Sequence, residues 1–91
     1  MALTAVGLNV DGEHVALSLQ EAKGKLDGAD SEVVLDFSPV RRVDSNALGA
    51  LEELARIADE KTVKVVLRGV SVDIYKALKL AKLTRRFSFV N

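Results

Sequence analysis

The chain has 91 residues with no cysteine and one histidine; 48% of the residues are hydrophobic and 29% are charged. A chain of this length buries one core, so we expect a single domain over residues 1–91. The composition excludes a largely disordered chain, a disulfide framework and a thiolate metal site.

The charge is balanced overall but divided along the chain. Residues 1–60 carry 5 Lys or Arg and 12 Asp or Glu, for a net charge of −7, whereas residues 61–91 carry 8 and 1, for +7. Such asymmetry can steer charged partners, although two halves that attract each other within the fold are the simpler interpretation. The first residues lack the basic and apolar regions typical of a signal peptide, and these 91 residues contain no run of roughly 20 apolar residues. We therefore expect a cytoplasmic protein without direct membrane insertion, whose membrane association, if any, comes through a partner.

Two short alternating segments open the chain. Thr4–Val10 and His14–Leu19 place apolar residues at every second position, and an Asp-Gly-Glu segment at 11–13 separates them. Asp-Gly between alternating segments is a strong hairpin signal. The pattern therefore predicts an N-terminal antiparallel β-hairpin. The polar segment that follows, Gln20–Glu32, is predicted to form a short helix or a loop.

A strand, a loop and a helix follow in the middle of the chain. Val33–Phe37 is a compact β-branched and aromatic run typical of a buried strand, and Pro39 prevents its continuation. Asp44 precedes apolar residues spaced by three and four, which predict an amphipathic helix from Ser45 to Glu60. The hydroxyl of Ser45 is therefore expected at a helix N-terminus, where it could also act as a structural cap together with Asp44.

The last third of the chain repeats this alternation. Val63–Leu67 is predicted to be a strand that Gly69 ends, a helix capped by Ser71 is predicted to continue to Leu83, and Phe87–Val90 supplies a short last strand. Strand and helix alternation implies right-handed crossovers and parallel pairing. Together with the opening hairpin, it predicts an α/β domain with a mixed β-sheet and helices packed mainly on one face.

The middle of the chain resembles the STAS domain family, whose bacterial members include anti-sigma factor antagonists and a small cytoplasmic subunit of a lipid-transport ABC complex. The resemblance rests on three segments: Leu35-Asp36-Phe37-Ser38, Val43-Asp44-Ser45 and Ala47-Leu48-Gly49. It continues through the predicted strand at 63–69 and the helix at 72–83. It implies a STAS-like single domain that is a non-enzymatic interaction module without a cofactor. STAS domains usually have a longer helix where this chain has the segment 20–32.

The resemblance also implies functional residues. In anti-sigma factor antagonists the Ser of the Asp-Ser pair is phosphorylated, which makes Ser45 the expected phosphoacceptor. A phosphoryl group adds about −1.5 to −2 charges at pH 7, which the positive end of a helix dipole accommodates and an acidic partner would not. The implied partner-binding residues are Asp36, Arg41, Arg42, Asp44, Asn46, Ala47 and Leu48.

Three of these residues carry more specific expectations. Arg42 and its neighbour Arg41 are expected either to pair with the phosphate or with Asp44, or to form a solvated loop. Asn46 and Ala47 stand where family members often carry Ser or Thr and Gly. The methyl group of Ala47 is expected to intrude where a partner backbone approaches.

Three partner classes remain open. The implied partner is an anti-sigma factor that is also a serine kinase, or alternatively the ATPase subunit of the ABC complex, bound through the same helix start. The alternative of another class is a nucleic-acid binder that uses Lys76, Lys79 and Lys82 on the last helix. Few aromatic residues are available for base stacking, so no nucleic acid is expected. The protein is expected to be a monomer or a weak dimer.

Overall fold

The computed structural model describes residues 5–26 and 32–90, in which strands and helices alternate strictly. The elements, in chain order, are β1 (Ala5–Asn9), α1 (Val15–Leu26), β2 (Glu32–Asp36), α2 (Ser45–Lys61), β3 (Lys64–Arg68), α3 (Val72–Leu80) and β4 (Ser88–Val90).

The four described strands form one sheet in the order β1-β2-β3-β4, and each neighbouring pair is parallel. A helix connects each strand to the next. Because crossovers between parallel strands are right-handed as a rule, three successive crossovers in one direction are expected to place all three helices on the same sheet face. The core agrees with this, because Val33 and Leu35 of β2 and Leu67 of β3 pack with buried residues of every helix. The largest fully buried side chains are Phe37, Leu19, Leu26, Leu35, Leu51, Leu54, Leu67, Ile74, Leu78, Val10 and Val33.

The predicted antiparallel hairpin is wrong, and the sheet is parallel throughout the described strands rather than mixed. The turn itself is present: the Asp11 carboxylate accepts a hydrogen bond from the Glu13 backbone N–H at 2.9 Å and lies 3.3 Å from Nδ1 of His14. This turn leads into α1 and not into a second strand. His14 is exposed.

Helical spacing explains why the segment after the turn is α1. Val15 and Leu19 are buried, but Leu17 between them is 57% exposed. The buried residues continue at Ala22 and Leu26, which are steps of three and four residues. Residues 20–26 of the predicted polar segment therefore belong to this helix. Residues 27–31, like Thr4, lie outside the described residues.

The remaining predicted elements are confirmed with small shifts of their ends. Ser71 caps α3, since its Oγ accepts a hydrogen bond from the Ile74 N–H at 3.3 Å. The helix ends at Leu80 rather than at Leu83, because Lys82 adopts a left-handed conformation with φ of 62°. Tyr75 on this helix is 43% exposed.

Two contacts join α3 and α2 to the end of the chain. The ring of Tyr75 meets Phe89 of β4 edge to face, with ring centroids 5.2 Å apart. An ion pair of 2.9 Å between Arg86 and Asp59 connects the basic and acidic halves of the chain. No helix in the described ranges has the length and apolar content that a membrane span requires.

Two glycines allow the loops after β1, β2 and β3 to pack together at the carboxyl edge of the sheet. A Cβ on Gly12 would lie 2.3 Å from the Pro39 carbonyl oxygen, and a Cβ on Gly69 would lie 2.4 Å from Ser38 Oγ. Gly69 also has a φ of +71°, which favours glycine. The carboxyl edge of parallel strands is where α/β folds place their binding sites, and α2 starts there.

Candidate functional site

Asp44 is the N-cap of α2. Its backbone is extended, with φ of −96° and ψ of −177°, and its Oδ1 accepts a hydrogen bond from the Ala47 N–H at 2.8 Å. Its carbonyl oxygen accepts the Leu48 N–H at 2.9 Å, which is the first helical hydrogen bond. Such a cap stabilises a helix by about 1 kcal/mol. The cap of α2 is therefore a carboxylate.

Ser45 is the first residue of α2, and its side chain is exposed. Its hydroxyl makes no hydrogen bond to any of the residues that the structure describes. The prediction that this hydroxyl lies at a helix N-terminus is confirmed. The cap of the helix is Asp44 and not the side chain of Ser45. The partial positive charge of the helix N-terminus lies beside this hydroxyl.

Two arginines precede the helix in the loop. Arg41 and Arg42 are both exposed, and neither forms an ion pair or a hydrogen bond with another described residue. The ion pair with Asp44 that was one of the expected alternatives does not form within the described residues. Their guanidinium groups face solvent and are available to an incoming anion.

Asp36 shapes the loop that leads to this site. Its carboxylate accepts a hydrogen bond from the Ser38 N–H at 2.9 Å. The Ser38 hydroxyl, this backbone N–H and the positive charge of Arg68 lower the pKa of Asp36 below its ordinary value of 3.8. Asp36 therefore ends β2 and holds the turn that begins at Ser38, and it forms no hydrogen bond with Ser45 among the described residues.

The first turn of α2 divides into an outer and an inner side. Asn46 is exposed and Leu48 is half-buried, but Ala47 is only 1% exposed. The methyl group of Ala47 packs into the core, so the expectation that it intrudes on an approaching partner is wrong. A partner at this turn would meet Ser45 and Asn46 instead.

Shallow grooves flank the start of α2 on both sides. Leu17 and His14 of the α1 region face Asn46 across a groove of about 340 Å³. Asp73 at the start of α3 lines a second groove of about 240 Å³, and Arg42 borders both. The sequence reasoning missed Leu17 because it assigned this residue to a strand. The helical spacing of its buried neighbours would have placed it on an outer face.

The site has the character of a docking surface. Its exposed side chains include a hydroxyl, an amide, two guanidinium groups and an aliphatic group, from the starts of α1 and α2 and the loop that precedes α2. Within the described ranges no cluster of three or more His, Asp or Glu side chains is arranged to hold a metal ion. What the arrangement offers chemically is polar contact, one apolar anchor and a hydroxyl open to modification.

Solved structures share this fold. A protein from Thermotoga maritima, described provisionally as an anti-sigma factor antagonist, superposes with a TM-score of 0.77 at 18% sequence identity, covering 99% of this chain and 83% of that chain. A sulfate transporter family protein from Wolinella succinogenes gives a TM-score of 0.77 at 19% identity, covering 98% and 80%. The Bacillus cell fate determinant SpoIIAA in its phosphorylated form gives 0.57 at 14% identity, covering 96% and 79%.

A family model settles the relationship that the fold indicates. No curated protein matches the chain. The model described as "Mlab, STAS domain" matches residues 3–90, which is almost the whole chain. Its span includes the strand, the loop, the Asp44 cap and the Ser45 helix start on which the resemblance rests. The chain therefore belongs to the STAS domain family.

Proposed function

We propose that this chain is a non-enzymatic protein-interaction switch of the anti-sigma factor antagonist type. It binds an anti-sigma factor that is also a serine kinase, and phosphorylation of Ser45 releases that partner. One observation carries the proposal: Ser45 is exposed at the first position of α2 while Asp44 provides the cap. A kinase can therefore modify this hydroxyl without removing the hydrogen bond that holds the helix start.

Electrostatics give the switch its mechanism. A phosphoryl group on Ser45 adds about −1.5 to −2 charges at pH 7 and is accommodated by the helix N-terminus. It stands next to the Asp44 carboxylate, so the local surface becomes strongly negative and repels an acidic partner surface. The unpaired Arg41 and Arg42 offset part of this charge from the loop. The fold is retained, and only the interface is lost.

The relatives support this proposal through the fold. SpoIIAA has been solved in a phosphorylated form with the same architecture, and the Thermotoga maritima protein is described provisionally as an antagonist. Both are less than 20% identical to this chain, so the roles of its individual residues depend on the geometry of the α2 start.

Two substitutions at one position test the switch. Ser45→Ala should abolish phosphate incorporation by the host's anti-sigma kinase and ATP but preserve partner binding. Ser45→Asp should fold, because an acidic residue suits a helix N-terminus, and should weaken binding by about tenfold or more through its added charge. Ser71→Ala is the matched control, since it removes a serine from the other helix start and should remain a substrate. Equal partner affinity of Ser45→Ala and Ser45→Asp, with both folded by circular dichroism, would overturn the proposal.

A second candidate function is that of the STAS subunit of a lipid-transport ABC complex, bound to its ATPase through the same helix start. The matching family model favours it, because its description names Mlab and not an anti-sigma factor antagonist. Asn46, where family members often carry Ser or Thr, also weakens the case for kinase recognition. A pull-down from the native host distinguishes the two: co-purification of an ABC ATPase supports this second function, and co-purification of an anti-sigma kinase supports the first.

A further inference from the structure

The outward face of α3 carries aliphatic side chains in solvent. Val72 is 71% exposed and Leu80 is 87% exposed, the highest value among the exposed large hydrophobic residues that the structure describes. Lys76 lies between them at a spacing of four residues, while Ile74 and Leu78 on the opposite side are buried in the core. Single exposed leucines are common on protein surfaces, so the surroundings of Leu80 decide what it means.

Those surroundings are basic. Lys76, Lys79 and Lys82 line an apolar depression together with Leu80, and Arg85 borders an adjoining one with Lys79 and Lys82. We call these five residues the α3 patch. Its three lysines are all exposed. None of its four cations forms an ion pair or a hydrogen bond with another described residue.

The backbone places two of these charges, Lys82 and Arg85, beyond the end of the helix. Lys82 adopts a left-handed conformation with φ of 62°, which turns the chain away from the axis of α3 after Leu80. Residues 61–91 as a whole carry a net charge of +7. An aliphatic side chain in a ring of uncompensated cations is complementary to a surface that is negative outside and apolar a few ångströms below.

We propose that the α3 patch binds the surface of an anionic lipid bilayer. Leu80 enters the boundary between headgroups and acyl chains, and the four cations contact the lipid phosphates. The lysines suit this ligand because their flexible stems run along apolar surface while their ammonium groups stay in water. The contact is peripheral and requires no spanning helix, but it departs from the expectation that only a partner brings this chain to a membrane.

Two other acidic ligands fit the patch less well. The cores of protein interfaces are depleted in lysine and enriched in aromatic residues, methionine and arginine, whereas this patch contains three lysines. A nucleic acid would use the cations for its phosphates but has no use for a protruding Leu80. A bilayer uses both parts of the patch.

The topology separates this surface from the α2 start. All three helices run against the parallel strands, so their first turns lie at the carboxyl edge of the sheet and their last turns lie at the other end. Ser45 is in the first turn of α2, and Leu80 is the last residue of α3. The chain can therefore bind a protein at one end and a bilayer at the other.

Vesicle flotation of the full chain tests the proposal. The protein should float with vesicles of phosphatidylglycerol mixed with phosphatidylcholine and not with pure phosphatidylcholine, and binding should fall as salt rises. Lys79→Glu combined with Lys82→Glu should lower the partition coefficient by more than about tenfold, because each basic residue near an anionic surface contributes substantially. Leu80→Ser should lower it by about tenfold through lost apolar burial.

Matched variants elsewhere on the surface serve as controls. Leu17→Ser removes an exposed leucine from α1, and Lys64→Glu reverses an exposed charge on β3; both should float like the unmodified chain. Ser45→Asp should also float normally, which separates this proposal from the phosphorylation switch. Equal flotation with pure phosphatidylcholine, or unchanged flotation of Leu80→Ser, would overturn it. So would absence of flotation with the phosphatidylglycerol vesicles, and duplex DNA binding that does not depend on Leu80 would then identify a nucleic acid as the ligand.

Discussion

The starts of α2 and α3 are built differently, although each follows a parallel strand at the same edge of the sheet. At α2 the cap is Asp44 and the serine comes one residue later, exposed and without a hydrogen-bond partner in the described chain. At α3 the serine itself, Ser71, is the cap. A shift of one position relative to the cap therefore decides whether a serine hydroxyl is structural or available for modification.

The loops that lead to these two helix starts also differ, in length and in what holds them. Residues 37–44 form a long loop that begins with the contacts of the Asp36 carboxylate to Ser38. Residues 69–71 form a short loop that depends on the left-handed Gly69, whose N–H donates a hydrogen bond to the Val90 carbonyl oxygen at 3.2 Å. The long loop can expose side chains to a partner, whereas the short loop leaves its backbone little conformational freedom.

The largest expected effect is at the short loop. Gly69→Ala should lower the free energy of unfolding by about 2 kcal/mol or more, because a left-handed residue with a Cβ is strained and the new atom would overlap Ser38 Oγ. Gly24→Ala is the matched control: Gly24 lies in α1 with open space around it, so the same change should stabilise by about 0.5 to 1 kcal/mol. Urea denaturation measures both. A neutral Gly69→Ala would mean that the short loop tolerates a second conformation.

Removal of the two caps should have the next largest effect. Asp44→Ala and Ser71→Ala should each lower the free energy of unfolding by about 0.5 to 2 kcal/mol, since each leaves a backbone N–H at a helix start without its acceptor. Denaturant titrations give the two values directly. If Asp44→Ala were neutral, Asp44 would not be the cap in solution, and the distinction between the two helix starts would fail.

Acid should loosen the long loop through Asp36. Its lowered pKa means that the ionised carboxylate favours the folded state; this stabilisation is present above the ordinary value of 3.8 and is lost as the pH falls below it. Asp36→Asn should therefore make stability less dependent on pH in that acidic range. Thermal unfolding of both proteins at a series of pH values measures the difference. Parallel profiles would show that Asp36 does not contribute in this way.

The smallest expected effect is at the available serine. Ser45→Ala should change the free energy of unfolding by less than about 0.5 kcal/mol, because no described residue depends on that hydroxyl. Ser71→Ala in the same denaturant series provides the contrast. A loss at Ser45 as large as the loss at Ser71 would show that both serines are structural.

The strong periodic segments could be predicted from the sequence, but the first crossover could not. The apolar residues of α2 fit only the spacing of a helix, and the β-branched runs of β2 and β3 fit only a strand. Val15, Leu17 and Leu19 fit a strand, whereas Val15, Leu19 and Ala22 fit a helix, and six residues after an Asp-Gly turn do not decide between them. Assigning this segment to a strand then imposed an antiparallel hairpin on a sheet that is parallel in every described pair.

The position of Ser45 at a helix N-terminus could be predicted from the sequence, but the division of roles between Asp44 and Ser45 could not. Asp and Ser are equally good caps, so only the backbone of Asp44 shows which of the two neighbours accepts the Ala47 N–H. The burial of Ala47 depends on how α2 rotates against the sheet, and the lack of an ion pair at Arg41 depends on the course of the loop before the helix.

The edge-to-face contact between Tyr75 and Phe89 has a practical consequence. The chain contains one tyrosine and no tryptophan, so its tyrosine emission originates from a single ring on α3. That ring is 43% exposed and precedes Lys76 of the α3 patch, whereas Ser45 lies on another helix. The emission of the unlabelled protein should therefore report events on α3 and remain silent to phosphorylation at α2, so that both ends of the molecule can be followed separately in one sample.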